Sequence, residues 1–273
     1  MNKQALILIA LFVFIFIRSA IIEPNSLEVV KYEIEDSQLQ GIRVAFLSDF
    51  HLKKRDYKRL DKIVRLTNTQ DPDLVLLGGD FAVGHNIKST MNPQIMAQKL
   101  SLLNSPTYAV LGEQDWWTDP NLIKNSLKDN GIKTLENSNV RIVLKRRLLD
   151  IIGITDYKTK NYDIASAVRK TDKPRLVMTH NPDIYYNIID DVNLIFAGHT
   201  HGGQFILPYS KPMFVASENG NDLVSGLIKK TKNKMIVSKG LGATGIPLRL
   251  NCKPEITIVD FVKVGSTKSI RRR

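Results

Sequence analysis

The sequence predicts an α/β fold with a largely parallel sheet, and three observations support this prediction. Short apolar runs alternate with segments of helical spacing through the first half of the chain. Several of these runs are followed by Gly, Asp or His. Such residues are typical of the edge at which the strands of a parallel sheet end. The 273 residues, 43% of them hydrophobic, are enough to bury one large domain or two small ones.

The chain begins with an apolar segment, predicted as an N-terminal hydrophobic helix. Thirteen consecutive apolar residues run from Ala5 to Ile17, and a helix of that length covers about 20 Å, or about 27 Å if it continues through Ile22. A bilayer core is about 30 Å thick. An uncleaved anchor and a signal peptide both fit this pattern. Arg18 stands where a cleavage site needs small residues, which favours an anchor over residues 1–24.

The strand and helix alternation starts after a lead-in over residues 25–40, which contains one alternating, strand-like run. The predicted elements of the first half are a strand over Ile42–Leu47, a helix over Tyr57–Thr69, a strand over Leu74–Leu77, a helix over Pro93–Leu103, a strand over Tyr108–Leu111 and a helix from the N-cap Asp119 to Lys128.

The second half is richer in strand. Its predicted elements are a hairpin of Val140–Leu144 with Leu148–Ile152, a helix over Asp163–Arg169, a strand over Arg175–Met178, a helix over Pro182–Ile188, a strand over Val192–Ala197 and short strands at Met235–Ser238 and Ile256–Val262. Residues 25–264 therefore form the predicted main domain. Residues 265–273 are polar and basic, which predicts a disordered tail.

The formal net charge of +12 indicates anionic partners. The basic residues form short clusters, at 53–55, 145–147, 229–234 and 271–273. Phosphates and acidic lipids fit such clusters. A nucleic-acid partner is not favoured, because the aromatic residues are not interleaved with the basic ones. The single cysteine excludes an intrachain disulfide framework.

Metal-binding residue types collect at five predicted strand ends. Four of the five histidines are among them, and the two in the run Gly198–Gly203 are separated by one residue. Carboxylates mixed with imidazoles suit Mn, Fe or Zn. Seven ligands exceed what one ion needs and match a two-metal site bridged by a carboxylate. The candidate ligands are Asp49, His51, Asp80, Glu113, His180, His199 and His201.

In these stretches the chain resembles the calcineurin-like metallophosphoesterase superfamily. The matching motifs occur in the family's order and are Asp49-Phe50-His51, Gly79-Asp80, Gly112-Glu113-Gln114-Asp115, Thr179-His180-Asn181 and Gly198-His199-Thr200-His201. The C-terminal runs from Gly240 to Arg249 and from Asn251 to Glu255 also resemble a membrane-associated bacterial branch. That branch includes phosphodiesterases and the UDP-2,3-diacylglucosamine pyrophosphatases of lipid A biosynthesis.

The resemblance implies a four-layer sandwich of two mixed β-sheets flanked by helices, with two divalent ions. Mn²⁺ is expected first, with Fe, Zn or Mg as alternatives. A hydroxide that bridges the ions would attack phosphorus in line. Asp80 would bridge the ions, Gln114 and Asp115 would serve catalysis, and Gln114 with Arg249 would contact substrate. One ion would be held by Asp49, His51 and His201, and the other by His180, His199 and Glu113.

One motif departs from the family, which usually has Gly-Asn-His-Asp where this chain has Gly112-Glu113-Gln114-Asp115. Glu113 can ligate a metal but lowers the positive charge of the site by one unit. Gln114 donates a hydrogen bond but cannot transfer a proton. Losing a general acid costs about 10²–10⁴ in rate. The loss matters less for a pyrophosphate, whose leaving group needs little protonation, than for an alkyl ester. His85 is an alternative acid.

The expected function is that of a membrane-associated dimetal phosphohydrolase, cleaving a phosphodiester or pyrophosphate bond in a substrate such as a lipid-linked nucleotide. The alternative is a degenerate metal- or phosphate-binding module with little turnover. The branch implies the bacterial inner membrane, and the basic domain favours its cytoplasmic face. Nothing in the sequence indicates an oligomeric state.

Overall fold

In a computed structural model that describes residues 2–212 and 214–266, the chain forms two six-stranded sheets stacked face to face. The strands, in chain order, are β1 Glu28–Glu35, β2 Arg43–Leu47, β3 Leu74–Leu77, β4 Thr107–Ala109, β5 Lys133–Thr134, β6 Ser138–Leu144, β7 Arg147–Gly153, β8 Arg175–Met178, β9 Leu194–Ala197, β10 Gly226–Ile228, β11 Met235–Val237 and β12 Glu255–Val262.

Both sheets are mixed, with parallel strands at their centres. The first has the order β1-β12-β2-β3-β4-β5, and β12 runs antiparallel to β2. The second has the order β10-β11-β9-β8-β7-β6, and its two edge strands run antiparallel to their neighbours. Because β2, β3 and β4 are parallel neighbours, as are β7, β8 and β9, each set ends at a single edge of its sheet.

Helices cover the outer faces and complete the predicted four-layer architecture, which is confirmed. The helices are α1 Lys3–Ile17, α2 Tyr57–Asn68, α3 Pro93–Leu100, α4 Glu113–Thr118, α5 Pro120–Asp129 and α6 Ile164–Val168. The central strands β3 and β9 are apolar throughout because both of their faces are covered. In the layer between the sheets, the rings of Phe46 and Phe196 lie 5.3 Å apart and are fully buried.

Helix lengths account for most differences from the predicted elements. The helix that begins at Pro93 ends at Leu100 instead of Leu103, and residues 182–187 form a 3-10 helix. The short helix α4, which follows β4, was not predicted. Asp119 caps α5 as predicted, accepting a hydrogen bond from Leu122 N at 2.9 Å. Residues 267–273 of the predicted tail lie outside the described residues.

The N-terminal segment continues through a π-helical stretch, Arg18–Ile22, and a 3-10 turn, Glu23–Asn25. Together these stretches make one helix of 23 residues, long and apolar enough to cross a membrane. The side chains of α1 are largely exposed. The end of the segment is not separate from the domain, since Ser19 and Glu23 are buried, at 2% and 3% exposure.

Candidate metal centre

The candidate ligands converge where the strands of the two sheets end. Asp49, His51 and Asp80 follow β2 and β3 of the first sheet, whereas His180, His199 and His201 follow β8 and β9 of the second. Two groups have ligand atoms that all lie within 4.8 Å of one another, Asp49 with His51 and His201, and Asp49 with Asp80 and His180. All of these residues are buried.

In the first group, three potential ligand atoms face one another. His51 Nε2 lies 3.1 Å from His201 Nε2, and His201 Nε2 lies 3.5 Å from Asp49 Oδ1. The imidazole rings of His51 and His201 stack at 4.9 Å. The Asp49 side chain is held in place because both of its carboxylate oxygens accept hydrogen bonds from the His199 backbone N–H, at 2.9 and 3.1 Å. This arrangement directs two imidazoles and one carboxylate at a single small volume.

Asp80 lies between the two groups. Its Oδ2 is 3.5 Å from His51 Nε2 and 3.4 Å from His180 Nε2, so one oxygen faces an imidazole from each group. Its Oδ1 accepts a hydrogen bond from the Gln114 backbone N–H at 2.8 Å. This is the placement that a bridging carboxylate needs.

Glu113 and His199 complete the second side of the site. His199 Nδ1 lies 3.8 Å from Glu113 Oε1, and the His199 ring meets the His180 ring edge-on at 5.2 Å. Glu113 is the first residue of α4, which follows β4, and its side chain is 14% exposed. The structure therefore brings all seven predicted ligands into one cluster.

Glycines allow this close convergence. A Cβ added at Gly198 would lie 2.0 Å from Ser48 Oγ and 2.4 Å from Asp49 Oδ2. A Cβ at Gly112 would lie 2.2 Å from Asp80 Oδ1. No other residue fits at either position without moving a candidate ligand.

Five of the seven candidate ligands have left-handed backbone conformations, which are strained for residues other than glycine. Such strain is concentrated at functional sites, where the surrounding structure holds it. The residues and their φ angles are Asp49 at 55°, His51 at 40°, Asp80 at 53°, His199 at 69° and His201 at 51°.

Burial and mutual charge shift the pKa values of the cluster. Burial lowers the pKa of His180, but the charges of Asp80 and Asp49 outweigh burial and leave it well above its usual range. Burial and the charge of His180 lower the pKa of His199 to about 3. Burial raises the pKa of Glu113 to about 7. A site with this many buried titratable groups is a functional-site candidate on electrostatic grounds.

The orphaned atoms of the cluster fit divalent metal ions. His180 Nε2 and His199 Nε2 are buried and have no partner that meets hydrogen-bond criteria among the described residues, and Asp80 Oδ2 lies 3.4 Å from His180 Nε2. The second ring nitrogens face backbone carbonyls. His180 Nδ1 lies 2.8 Å from Gly78 O, and His51 Nδ1 lies 3.2 Å from Ala82 O. A metal-binding histidine uses its second nitrogen in this way, which leaves Nε2 free to ligate.

The predicted catalytic pair occupies the start of α4. Gln114 is 9% exposed and lies next to Asp80, to which its backbone N–H donates a hydrogen bond. Asp115 is fully buried, and its two oxygens accept hydrogen bonds from Ala82 N at 2.9 Å and Gly112 N at 3.0 Å. Asp115 thus ties the loop after β3 to the start of α4, which is the geometry of a positioning residue and not of a group that reaches substrate.

Arg249, predicted to contact substrate, is instead buried in the protein. It is fully buried, and its guanidinium donates hydrogen bonds to backbone carbonyls, Cys252 O at 3.0 Å, Lys239 O at 2.7 Å and Gly242 O. Its Nη2 lies 3.4 Å from His201 Nδ1. The physical reason for this difference is that the C-terminal loop folds over the guanidinium and uses its donors.

Asp156 is a buried carboxylate that the sequence interpretation missed. It follows β7 as Asp49 and Asp80 follow β2 and β3, and that position is the signal that marks it. It is fully buried, Oδ2 has no hydrogen-bond partner among the described residues, and burial raises its pKa to about 6. Its charge acts on His180 and Glu113, which places it beside the second side of the site.

The aromatic residues near α4 have separate positions. The exposed ring of Trp117 stacks on His85 at 4.7 Å, whereas Trp116 packs against the core under the helices. His85, the alternative acid, is therefore an exposed partner of Trp117.

Metal binding is expected to strengthen as pH rises, partly through Glu113. Without metal its pKa is about 7, so at pH 5.5 it is protonated and must release a proton when it ligates. Replacing Glu113 by Gln removes this proton. The slope of log affinity for Mn²⁺ against pH, measured by calorimetry between pH 5.5 and 7, should fall by up to about one. An unchanged slope would show that Glu113 does not ligate.

This protein has a two-sheet α/β fold with a cluster of carboxylates and imidazoles where the strands of both sheets end. These features are those of a metal-dependent phosphoesterase. Residues 42–203 match the calcineurin-like phosphoesterase family, and the chain belongs to that family of metal-dependent phosphoester hydrolases. The family and the residue groups together indicate two divalent ions.

Relatives of this chain extend over most of its length. The phosphodiesterase YaeI of Escherichia coli (strain K12) is 30% identical over 88% of this chain and 90% of its own. The uncharacterized metallophosphoesterase YkoQ of Bacillus subtilis (strain 168) is 31% identical over 79% and 82%. A transmembrane protein with a metallophosphoesterase domain from Danio rerio is 28% identical over 80% of this chain and 53% of its own. Some relatives thus carry membrane segments.

Proposed function

We propose that this protein is a membrane-associated dimetal phosphohydrolase that cleaves a phosphodiester or pyrophosphate bond with a weakly basic leaving group. The observation that carries the proposal is the cluster of seven ligand side chains, six of them buried, with Gln114 beside it. The cluster is that of a hydrolase, and Gln114 stands where the family has a proton donor.

In this proposal Asp49, His51 and His201 hold one ion, His180, His199 and Glu113 hold the other, and Asp80 bridges them. Mn²⁺ is the ion we expect. When bound, the two ions supply a nucleophile at neutral pH and neutralise phosphoryl charge. The protein keeps the ligands in place through strained turns and backbone hydrogen bonds, so little reorganisation accompanies the reaction.

The surroundings of the site suit a substrate at a membrane surface. Lys53, Lys54 and Arg55 begin two residues after His51 and are exposed, so they place positive charge near the site. Such clusters attract phosphate groups and anionic lipids. The bound substrate that best fits this charge is a lipid-linked phosphate compound, such as a lipid-linked nucleotide.

Exposed apolar side chains support contact with the bilayer. Leu207, Tyr209, Phe214 and Ile246, here called the apolar rim, are 43%, 110%, 76% and 73% exposed. Gln204 exchanges hydrogen bonds at 3.0 and 2.9 Å with the backbone of residue 244, so the two loops that carry the rim are joined. One loop follows the His201 turn, and the other follows Gly242, whose backbone N–H donates to Asp49 O at 2.6 Å, so both loops begin at the site. Membrane-binding surfaces commonly expose such residues.

Hydrolysis by the purified full chain in detergent tests the proposal. With Mn²⁺, we expect metal-dependent release from an aryl phosphodiester and from a pyrophosphate, and none with EDTA. Two bound Mn²⁺ ions without hydrolysis of either substrate would instead support the alternative, a binding module with little turnover.

The N-terminal helix is expected to attach the protein to membranes. Removing residues 2–17, which leaves Ser19 and Glu23 in place, should move the protein from the membrane pellet to the supernatant. The measurement is sedimentation of fractionated cells, with the full chain as control. If the shortened protein still sediments with membranes, the basic clusters and the apolar rim are the parts that bind them.

A further inference from the structure

The end of the N-terminal segment contacts a turn near the C-terminus, residues 249–252. Three hydrogen bonds join them, Arg18 Nη2 to Asn251 Oδ1 at 3.0 Å, Arg249 N to Ser19 O at 2.9 Å and Cys252 N to Glu23 Oε1 at 2.6 Å. The segment is therefore attached to the domain at three successive points and not by a flexible linker.

The same turn holds the metal ligand His201 from two sides. Arg249 Nη2 lies 3.4 Å from its ring nitrogen Nδ1, and Cys252 Sγ lies 3.2 Å from its backbone oxygen. A Cβ added at Gly202, the next residue, would lie 2.8 Å from Cys252 Sγ. The turn and the ligand loop are thus packed too closely for one to move alone.

Apart from the exposed pair Arg18 and Asn251, the members of this chain of contacts are buried. Ser19, Glu23, Arg249, Cys252 and His201 are all at most 3% exposed. A carboxylate is seldom buried, and Glu23 Oε2 lies 3.4 Å from the charged partner Arg18 Nε. A buried carboxylate that accepts one backbone N–H fixes that N–H strongly, because an unsatisfied buried donor is costly.

We propose that Glu23 is a positioning residue for the metal centre, acting through Cys252 and Arg249 on His201. Outer partners of ligating histidines commonly set metal affinity. The N-terminal segment then has two roles, attachment to the membrane and support of the site. The inference rests on the metal-binding half of the proposed function and not on the substrate.

The test is Mn²⁺ binding by the full chain in detergent micelles, measured by electron paramagnetic resonance of free Mn²⁺. Replacing Glu23 by Ala should raise one of the two dissociation constants about 10–100-fold and leave the other within about threefold. Ser26→Ala is the matched control, since its hydroxyl donates to Ile22 O of the same segment at 2.7 Å. It should bind both ions as the wild type does.

A double variant separates positioning from a general structural effect. If Glu23 acts through His201, Glu23→Ala should add nothing to the loss caused by His201→Ala. Losses that multiply, or an equal loss at both ions, would overturn the proposal. Should Glu23→Ala fail to fold, Arg18→Ala tests the same connection, with a loss of several-fold at the same ion, and no loss would overturn the proposal. Absence of Mn²⁺ binding in the wild type would refute the metal centre itself, and this inference with it.

Discussion

Replacing Asp80 by Asn is expected to lower kcat/KM by about 10³-fold or more. The oxygen of Asp80 that faces both His51 and His180 is the group best placed to bind both ions, and the amide has no negative charge. Loss of one ion removes several kcal/mol of stabilisation of the transition-state charge. Each 1.36 kcal/mol added to the activation free energy lowers the rate about tenfold. Initial rates on an aryl phosphodiester with Mn²⁺ measure the effect.

The substitution should leave the fold intact. Asn keeps an oxygen that can accept the Gln114 backbone N–H, and its volume is close to that of Asp. Asp129→Asn is the matched control, because Asp129 is exposed at the end of α5. The control should retain full activity. A D80N protein that melts normally and keeps more than a tenth of its activity would show that Asp80 does not bridge.

The sequence was informative about the ligands because each follows a buried strand. Apolar runs identify β2, β3, β8 and β9, and parallel strands end at one edge, so residues far apart in sequence are predicted to meet there. Asp80 and His180 illustrate this, as they are one hundred residues apart and lie 3.4 Å from each other. Local patterns suffice for this part of the site.

Other parts of the site depend on contacts that leave no local pattern. Glu23 and Cys252 bond across 229 residues, and no spacing or periodicity in the sequence relates the two. Arg249 shows how a local pattern can mislead. A cationic side chain near glycines resembles a phosphate-binding residue, but in the fold its guanidinium donates to backbone carbonyls. The six residues of α4 are too few for a periodic signal, so the helix at Glu113 was not predicted.

Replacing Gln114 by His is expected to raise the rate on an alkyl phosphodiester by about 10²-fold or more and to change the rate on a pyrophosphate by less than about fivefold. A phosphate leaving group has a pKa of about 6. The pKa of an alcohol leaving group lies near that of water, about 15.7. A general acid therefore helps only the alkyl ester, by about 10²–10⁴.

Two controls separate proton transfer from other effects of the side chain. Gln114→Asn offers an amide but no proton in this pH range, so it should not gain activity on the alkyl ester. His85→Gln should leave both rates unchanged, because His85 is exposed and stacked on Trp117. A fall in the rate on the alkyl ester alone would instead identify His85 as the acid.

The pattern across the two substrates decides between an enzyme tuned to its leaving group and an impaired site. If Gln114→His raises the rate on the alkyl ester alone, with a new loss of rate at high pH as the added imidazole deprotonates, the native site suits weakly basic leaving groups. If it raises both rates equally, the native site lacks phosphoryl binding, as in a binding module. Because Gln114 reaches Asp80 only through its backbone N–H, which the substitution retains, the metal ligands stay in place and the comparison isolates the side chain.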